Sequence, residues 1–180
     1  MKKIFVKVTL TLLVLLMVCA AVSCKRDDPT PDGMQNVSAA NSDAFYHLYV
    51  PENWISQTSA GISGARVSNT DTSNVTVTMY FPDVEMTPAE YWENRCAPSY
   101  GKVLSELEVI AESCIDTKLG GLDARQYVFK GLLDGVSYQF LQIIVVKGNV
   151  LYTLTYTATA ENYDKHLETV ESIRSNFTFA

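Results

Sequence analysis

Leu141-Gln142-Ile143-Ile144-Val145-Val146-Lys147-Gly148-Asn149-Val150-Leu151-Tyr152-Thr153-Leu154-Thr155-Tyr156 consists of two strand-like runs on either side of a two-residue loop. A Gly-Asn pair between β-branched and aromatic runs is the mark of a tight antiparallel hairpin. The runs extend outward to Val136–Lys147 and Val150–Ala158. Pairing Lys147 with Val150 sets Leu141, Ile143 and Val145 opposite Tyr156, Leu154 and Tyr152. Side chains alternate across a strand, so this whole face is apolar and has to be covered. The other face sets Phe140, Gln142, Ile144 and Val146 against Thr157, Thr155, Thr153 and Leu151. That mixture suits a sheet only partly covered on its second side.

Further strand patterns lie at Leu104–Asp116 and Leu122–Lys130. Nearer the amino terminus, Phe45-Tyr46-His47-Leu48-Tyr49-Val50 alternates until Pro51 stops it, with Trp54 beyond. Ile62–Ser68 and Asn74–Phe81 form a predicted hairpin around a polar loop. Thr87, Pro88 and Glu90 spell a helix start, with an N-cap, a proline in the first turn and a capping-box acid; Pro98 is expected to follow the helix end. A last helix, about Glu161–Ser175, carries Tyr163, Leu167, Val170 and Ile173 on one stripe, and Asn176–Phe179 can add a short final strand. The expectation is an α+β domain, a largely antiparallel sheet of six or more strands with helices packed on it.

The amino terminus has a different composition. Lys2, Lys3 and Lys7 precede 17 uncharged residues, Val8–Cys24, and then Lys25 and Arg26. A basic segment followed by an apolar one has the form of an export signal, and the small residues Ala21 and Ser23 suit cleavage before Cys24. Ala21-Val22-Ser23-Cys24 resembles a lipobox, with Ala where Leu is commoner, so Cys24 is the expected site of diacylglycerol attachment and acylation, for instance by palmitate. As an uncleaved span, 17 residues would be short for about 30 Å of hydrocarbon. Residues 1–23 are thus expected to be a lipoprotein signal peptide, 24–43 a lipidated Cys and polar tether, and 44–180 the domain. The protein would be anchored at a cell or outer membrane, on its extracytoplasmic side.

The whole chain carries 14 basic and 20 acidic side chains, a formal charge of −6. Loss of residues 1–23 removes three lysines and makes it −9. Nucleic acid is excluded as a main partner, because its phosphates demand a basic stripe. An anionic membrane would repel the domain, so acyl chains have to hold it there.

Of four cysteines, Cys19 leaves with the signal and Cys24 takes lipid, which leaves Cys96 and Cys114 as a candidate disulfide. Such a bridge would suit an oxidising compartment. Against it, Cys96 falls one turn after Trp92 on a buried helix face, while Cys114 alternates with Glu106, Glu108, Glu112 and Asp116 on a mainly polar strand. Catalytic signatures are missing: no HExxH, no phosphate loop, no dinucleotide fingerprint and no nucleophile elbow at Gly61-Ile62-Ser63-Gly64. No cofactor and no metal site is expected. Asp71-Thr72-Ser73-Asn74 offers oxygen ligands but too few for an EF-hand loop. His47 and His166 sit where packing is the simpler role.

Three further stretches belong together: Tyr49-Val50-Pro51-Glu52-Asn53-Trp54, Gly121-Leu122-Asp123-Ala124-Arg125-Gln126-Tyr127, and a helix ending in Ser175-Asn176-Phe177. With the Gly148–Tyr156 run, they resemble the PsbP-like superfamily over residues 44–180. That group includes extrinsic photosystem II proteins, a nuclear-transport Ran-binding relative and bacterial lipoproteins. The resemblance implies an α/β/α sandwich around an antiparallel sheet, acting by binding. Partner-engaging segments of the photosystem members are not recognisable, so no photosynthetic role is implied. The expected function is a non-enzymatic, lipid-anchored module that binds a protein, peptide or envelope component. The alternative is an envelope hydrolase whose site is assembled from distant carboxylates and a His.

Overall fold

The computed structural model describes residues 30–41, 43–59 and 61–180. The segment expected to be a signal peptide, the lipobox-like run and Cys24 lie outside the described residues. In chain order the strands are β1 (Met34–Asn36), β2 (Tyr46–His47), β3 (Tyr49–Pro51), β4 (Ile55–Ser56), β5 (Ile62–Arg66) and β6 (Asn74–Tyr80). After a helical segment come β7 (Ser105–Val109), β8 (Ile115–Leu119), β9 (Leu122–Leu133), β10 (Val136–Lys147) and β11 (Val150–Thr159). A last helix and β12 (Thr178–Phe179) close the chain.

Eight strands form one antiparallel sheet in the order β4-β5-β6-β11-β10-β9, with β7 and β8 sharing the outer side of β9. The hairpin at its centre has the register expected from its loop: Lys147 pairs with Val150, Val145 with Tyr152, Ile143 with Leu154 and Leu141 with Tyr156. Gly148 takes φ +61°, as the first central position of a tight hairpin turn can require. A second tight turn at Asp134-Gly135, both at positive φ, joins β9 to β10 and carries β9 on to Leu133.

One face of the sheet is closed by the last helix and the amino-terminal strands. Ile143, Val145, Leu154, Tyr156, Val75 and Val77 pack there against Val170, Ile173, Tyr163, Leu48, Val50 and Trp54. Nine of these, including Ile143 and Ile173, have no exposed surface, and each such aliphatic side chain contributes about 1.5–3 kcal/mol by leaving water. The helix itself is a 3₁₀ turn at Asp164–His166 followed by α-helix from Leu167 to Asn176, shorter than the sequence pattern predicts. β12 pairs with β2, Phe179 opposite Tyr46.

The stretch expected to be all tether is partly domain. Met34, Gln35 and Asn36 pair with Pro51, Val50 and Tyr49, a 3₁₀ turn spans Ser38–Ala40, and Val37 is 3% exposed in the main core. Composition concealed this, because backbone pairing and a single valine hold the segment. Gln35 adds its amide, which donates to Trp54 O at 2.7 Å and to Pro51 O at 3.2 Å.

On the second face, Thr87 caps α1 (Pro88–Tyr91) with a complete capping box. The helix does not stop before Pro98. A π turn, Trp92–Cys96, leads into α2 (Ala97–Val103), so Pro98 lies within the helical path. Proline lacks an N–H and crowds the preceding turn. Here the Ala97 N–H bonds back to Trp92 O, and the widened turn makes room for the ring. The predicted strand Leu104–Asp116 is also divided: Ala111–Ser113 forms a 3₁₀ turn between β7 and β8. There the Val128 N–H donates to Ser113 Oγ at 2.8 Å, replacing a strand partner, and Glu112 leaves the strand face expected for it.

Gly64 sits opposite Thr76 where β5 meets β6, and a Cβ there would stand 2.6 Å from Val75 O and 2.8 Å from Thr76 Cγ2. Since the first of these is backbone, the sheet has to give. Gly64→Ala is therefore expected to cost about 1–3 kcal/mol and lower the melting temperature by several degrees in a circular-dichroism melt. An unchanged melting point would show that β5 is free to shift.

Candidate functional site

The second face is covered unevenly. Trp92 stacks on Tyr127 with ring centroids 4.3 Å apart, and Tyr100 and Phe140 pack on Phe129 at 4.5 and 4.8 Å. These contacts pull the helical segment over β9 and β10. The β6 and β11 side keeps Thr76, Thr78, Thr155 and Thr157 half-buried beside a cleft of about 370 Å³. Its floor is a threonine ladder, in which Thr153 pairs with Thr78 and Thr155 with Thr76. Tyr91, Arg95, Ser99 and Tyr100 form the wall.

Gln142 stands at the inner edge, 3% exposed. Its Nε2 donates to Tyr100 Oη and to Thr155 Oγ1, both at 3.1 Å, while its Oε1 has no hydrogen-bond partner. A buried amide oxygen without a donor is costly, and such groups mark sites that need explanation. Thr153 Oγ1 is likewise without a well-formed hydrogen bond, although it interacts with the Tyr91 phenol. Arg95 lies on the exposed rim with its guanidinium 5.4 Å from the Tyr80 ring centre, and Tyr80 stacks on Tyr91 at 5.0 Å.

Burial pushes the Tyr91 and Tyr100 hydroxyls up to about 12 and the Cys96 thiol up to about 11. All three stay protonated at neutral pH, so the phenols can donate hydrogen bonds and the thiol is inert as a nucleophile. No carboxylate and no histidine lines the cleft. The arrangement can hold a polar ligand by hydroxyls, an amide and one guanidinium; it has no base to move a proton.

The two thiols proposed as a bridge are free in the structure. Cys96 is buried in the π turn, whereas Cys114 follows the 3₁₀ turn with its Sγ 3.9 Å from Ile110 O. Both reach the second-face cluster without joining. Among the described residues, no three His, Cys, Asp or Glu side chains gather as a ligand set. Asp71 is committed elsewhere, with Oδ1 accepting from the Ser73 N–H at 3.0 Å and Oδ2 2.8 Å from His166 Nε2. That leaves the Asp71–Asn74 loop no free carboxylate for calcium.

The His166–Asp71 pair is the nearest approach to the hydrolase alternative, which needs a His between a carboxylate and a nucleophile. Here the carboxylate sits between His166 and the Ser73 backbone instead, and the His ring packs edge-on against Trp54 at 6.2 Å. The geometry is that of a staple between the β5–β6 loop and the start of the last helix. His47 meets Asn36 at 3.1 Å and stacks on Tyr49. Glu106 and Glu108 are exposed, and Glu108 pairs with Lys130 at 3.1 Å. Arg95, Tyr100 and Gln142 were not singled out by the sequence; the one available signal was the Thr153, Thr155, Thr157 run on the mixed face.

Burial alone would raise the Asp71 carboxyl, but hydrogen bonds from Ser73 and His166 outweigh it and hold the group down at about 2, against 3.8 unperturbed. A depressed carboxyl stabilises the fold above its unfolded value and loses that contribution as pH falls through its folded one. On the order of 1–2 kcal/mol should thus disappear between about pH 4 and pH 2. Asp71→Asn is expected to lose stability at neutral pH and to lack this part of the acid dependence, as measured by urea unfolding at both pH values. Parallel pH profiles for the two proteins would refute the assignment.

No family model matches the chain, and no curated protein matches it by sequence. Solved structures do. Cyanobacterial PsbP (CyanoP) from Synechocystis aligns with a TM-score of 0.61 at 14% identity over 89% of this chain and 99% of its own. LpqN of Mycobacterium tuberculosis, described as involved in cell envelope biogenesis, aligns at 0.56 and 16% over 75% and 83%. The Ran-binding protein Mog1p of Saccharomyces cerevisiae aligns at 0.52 and 6% over 75% and 90%. With an antiparallel sheet of eight strands covered by helices on both faces, as the sequence resemblance implied, this chain has the PsbP-like fold.

Proposed function

We propose that the chain is a non-enzymatic binding module, held at the outer side of a membrane, that recognises a protein, peptide or envelope component in the threonine-lined cleft. The observation that carries this reading is the unpartnered, buried Gln142 Oε1 beside a wall whose one charged group is Arg95. Such a site offers hydrogen bonds and orientation but no acid–base pair. The neighbours support a binding role on this fold: Mog1p is by name a Ran-binding protein, and LpqN is described as an envelope-biogenesis protein.

Attachment would run through lipid on Cys24 after cleavage behind Ser23. Because β1 begins at Met34, only nine residues separate Cys24 from the first strand of the domain. At about 3.3–3.6 Å per residue the domain is kept within about 35 Å of the bilayer.

Two experiments test the two halves of the proposal. Cys24→Ala should abolish labelling by a radiolabelled fatty acid and release the protein from membranes; persistent labelling would sink the anchor. A photo-crosslinking amino acid at Ser99, on the cleft rim, should give a discrete adduct in native membranes, whereas one at Glu168, on the opposite helix layer, should not. Equal patterns at both positions would remove the cleft as the recognition site.

A further inference from the structure

The end of the sheet at the Gly148-Asn149 turn carries a surface that the cleft does not use. Phe45 and Phe81 are 59% and 63% exposed, and with Met79, Gly61 and Asp43 they line a cavity of about 360 Å³. The segment after Phe81 continues with Asp83, Val84 and Glu85, all exposed, Val84 at 74%. On its far side a second cavity of about 410 Å³ is lined by Pro82, Glu85, Met86, Glu90, Val146 and Leu151, among others. Residues 81–86 therefore form a ridge between two concavities. Both contain apolar side chains, and the charged groups lining them are carboxylates only. Lys147, next to the turn, is already engaged behind Phe45: its Nζ donates to Ala180 O at 2.9 Å and lies 4.8 Å from the Phe179 ring centre, and the Ala180 N–H donates to Phe45 O at 3.0 Å.

Exposed phenylalanines in a carboxylate frame call for an occupant with apolar anchors and positive charge. We infer that this end of the sheet docks a cationic amphipathic segment of a partner protein, whose apolar side chains enter beside Phe45 and Phe81 and whose Lys or Arg side chains meet Asp43, Asp83 and Glu85. A second copy of the chain would bring like charge to like charge. A bilayer is a poor occupant for two reasons. Anionic headgroups repel the carboxylates. The amino-terminal segment also leaves the domain at the other end of the sheet, where Gln35 holds Trp54 and Trp54 packs on His166. That second reason rests on the anchored reading; the charge argument does not.

The test is calorimetric titration of the full chain in zwitterionic nanodiscs, with empty discs as the blank. The probes are a ten-residue peptide of two Leu and four Lys spaced by Ser and its counterpart with Glu for Lys. The Lys peptide should bind at least ten-fold more tightly than the Glu peptide, and its affinity should fall as salt rises. Phe81→Ser with Val84→Ser, both at exposed positions, should weaken it about ten-fold without lowering the melting temperature. Asp83→Lys with Glu85→Lys should reverse the preference. Equal binding of the two peptides, no binding of either, or full affinity in the serine variant would overturn the inference. Binding of the chain through this ridge to phosphatidylglycerol vesicles, lost in the same serine variant, would assign the surface to lipid and overturn it too. Because the titration reads peptide and not membrane retention, its failure is separate from loss of the Cys24 anchor.

Discussion

The register of β10 against β11, set by a two-residue turn, is the constraint on which the other parts of the molecule depend. With Lys147 opposite Val150, every odd position of β10 from Leu141 to Val145 joins one core, and Phe140, Ile144 and Val146 join the other. A slip of one residue would turn Gln142 into the main core and Ile143 away from it. Neither layer of helices could then close. Gly148 at positive φ thus has structural weight beyond its loop, because the strands it joins are the sheet's centre and the remaining strands add outward from them.

The two faces solve the covering problem differently. The last helix and the amino-terminal strands close one face over aliphatic side chains and tyrosines with almost no exposed surface. On the other face, an aromatic stack of Trp92, Tyr127, Phe129, Tyr100 and Phe140 fixes the helical segment to one side of the sheet. The π turn lets that segment run past Pro98 and brings Arg95, Cys96 and Tyr100 into position. The cleft is the remaining uncovered part of the sheet. Its polar floor follows from the same alternation that gives the first face its apolar one.

Much of this was legible in local pattern. The central hairpin, the β5–β6 hairpin, the capping box at Thr87 and the stripe Tyr163, Val170 and Ile173 each depend on neighbours within a few residues, and the structure shows all of them. The errors came where distant groups decide. Met34–Asn36 pairs because Tyr49–Pro51 is beside it, Ser113 breaks a strand because Val128 needs an acceptor, and the helix passes Pro98 because Trp92 and Tyr100 are held by rings on β9. The candidate site shows the same limit. Its threonines were visible as one side of a mixed strand, but Gln142 lies more than forty residues from Arg95 and Tyr100 and comes beside them only in the folded chain.

The sequence by itself determined the class of fold, the register at its centre and the faces that had to be buried, since all three follow from side-chain period and turn chemistry. It also carried the chain's acidity and the lack of any catalytic signature. The tertiary structure alone decided that His166 pairs with Asp71, that Cys96 and Cys114 remain apart, and that one half of a sheet face stays open beside an unpartnered amide. These depend on how far a helix extends across a sheet, a distance set by ring packing between residues tens of positions apart, which no local pattern encodes.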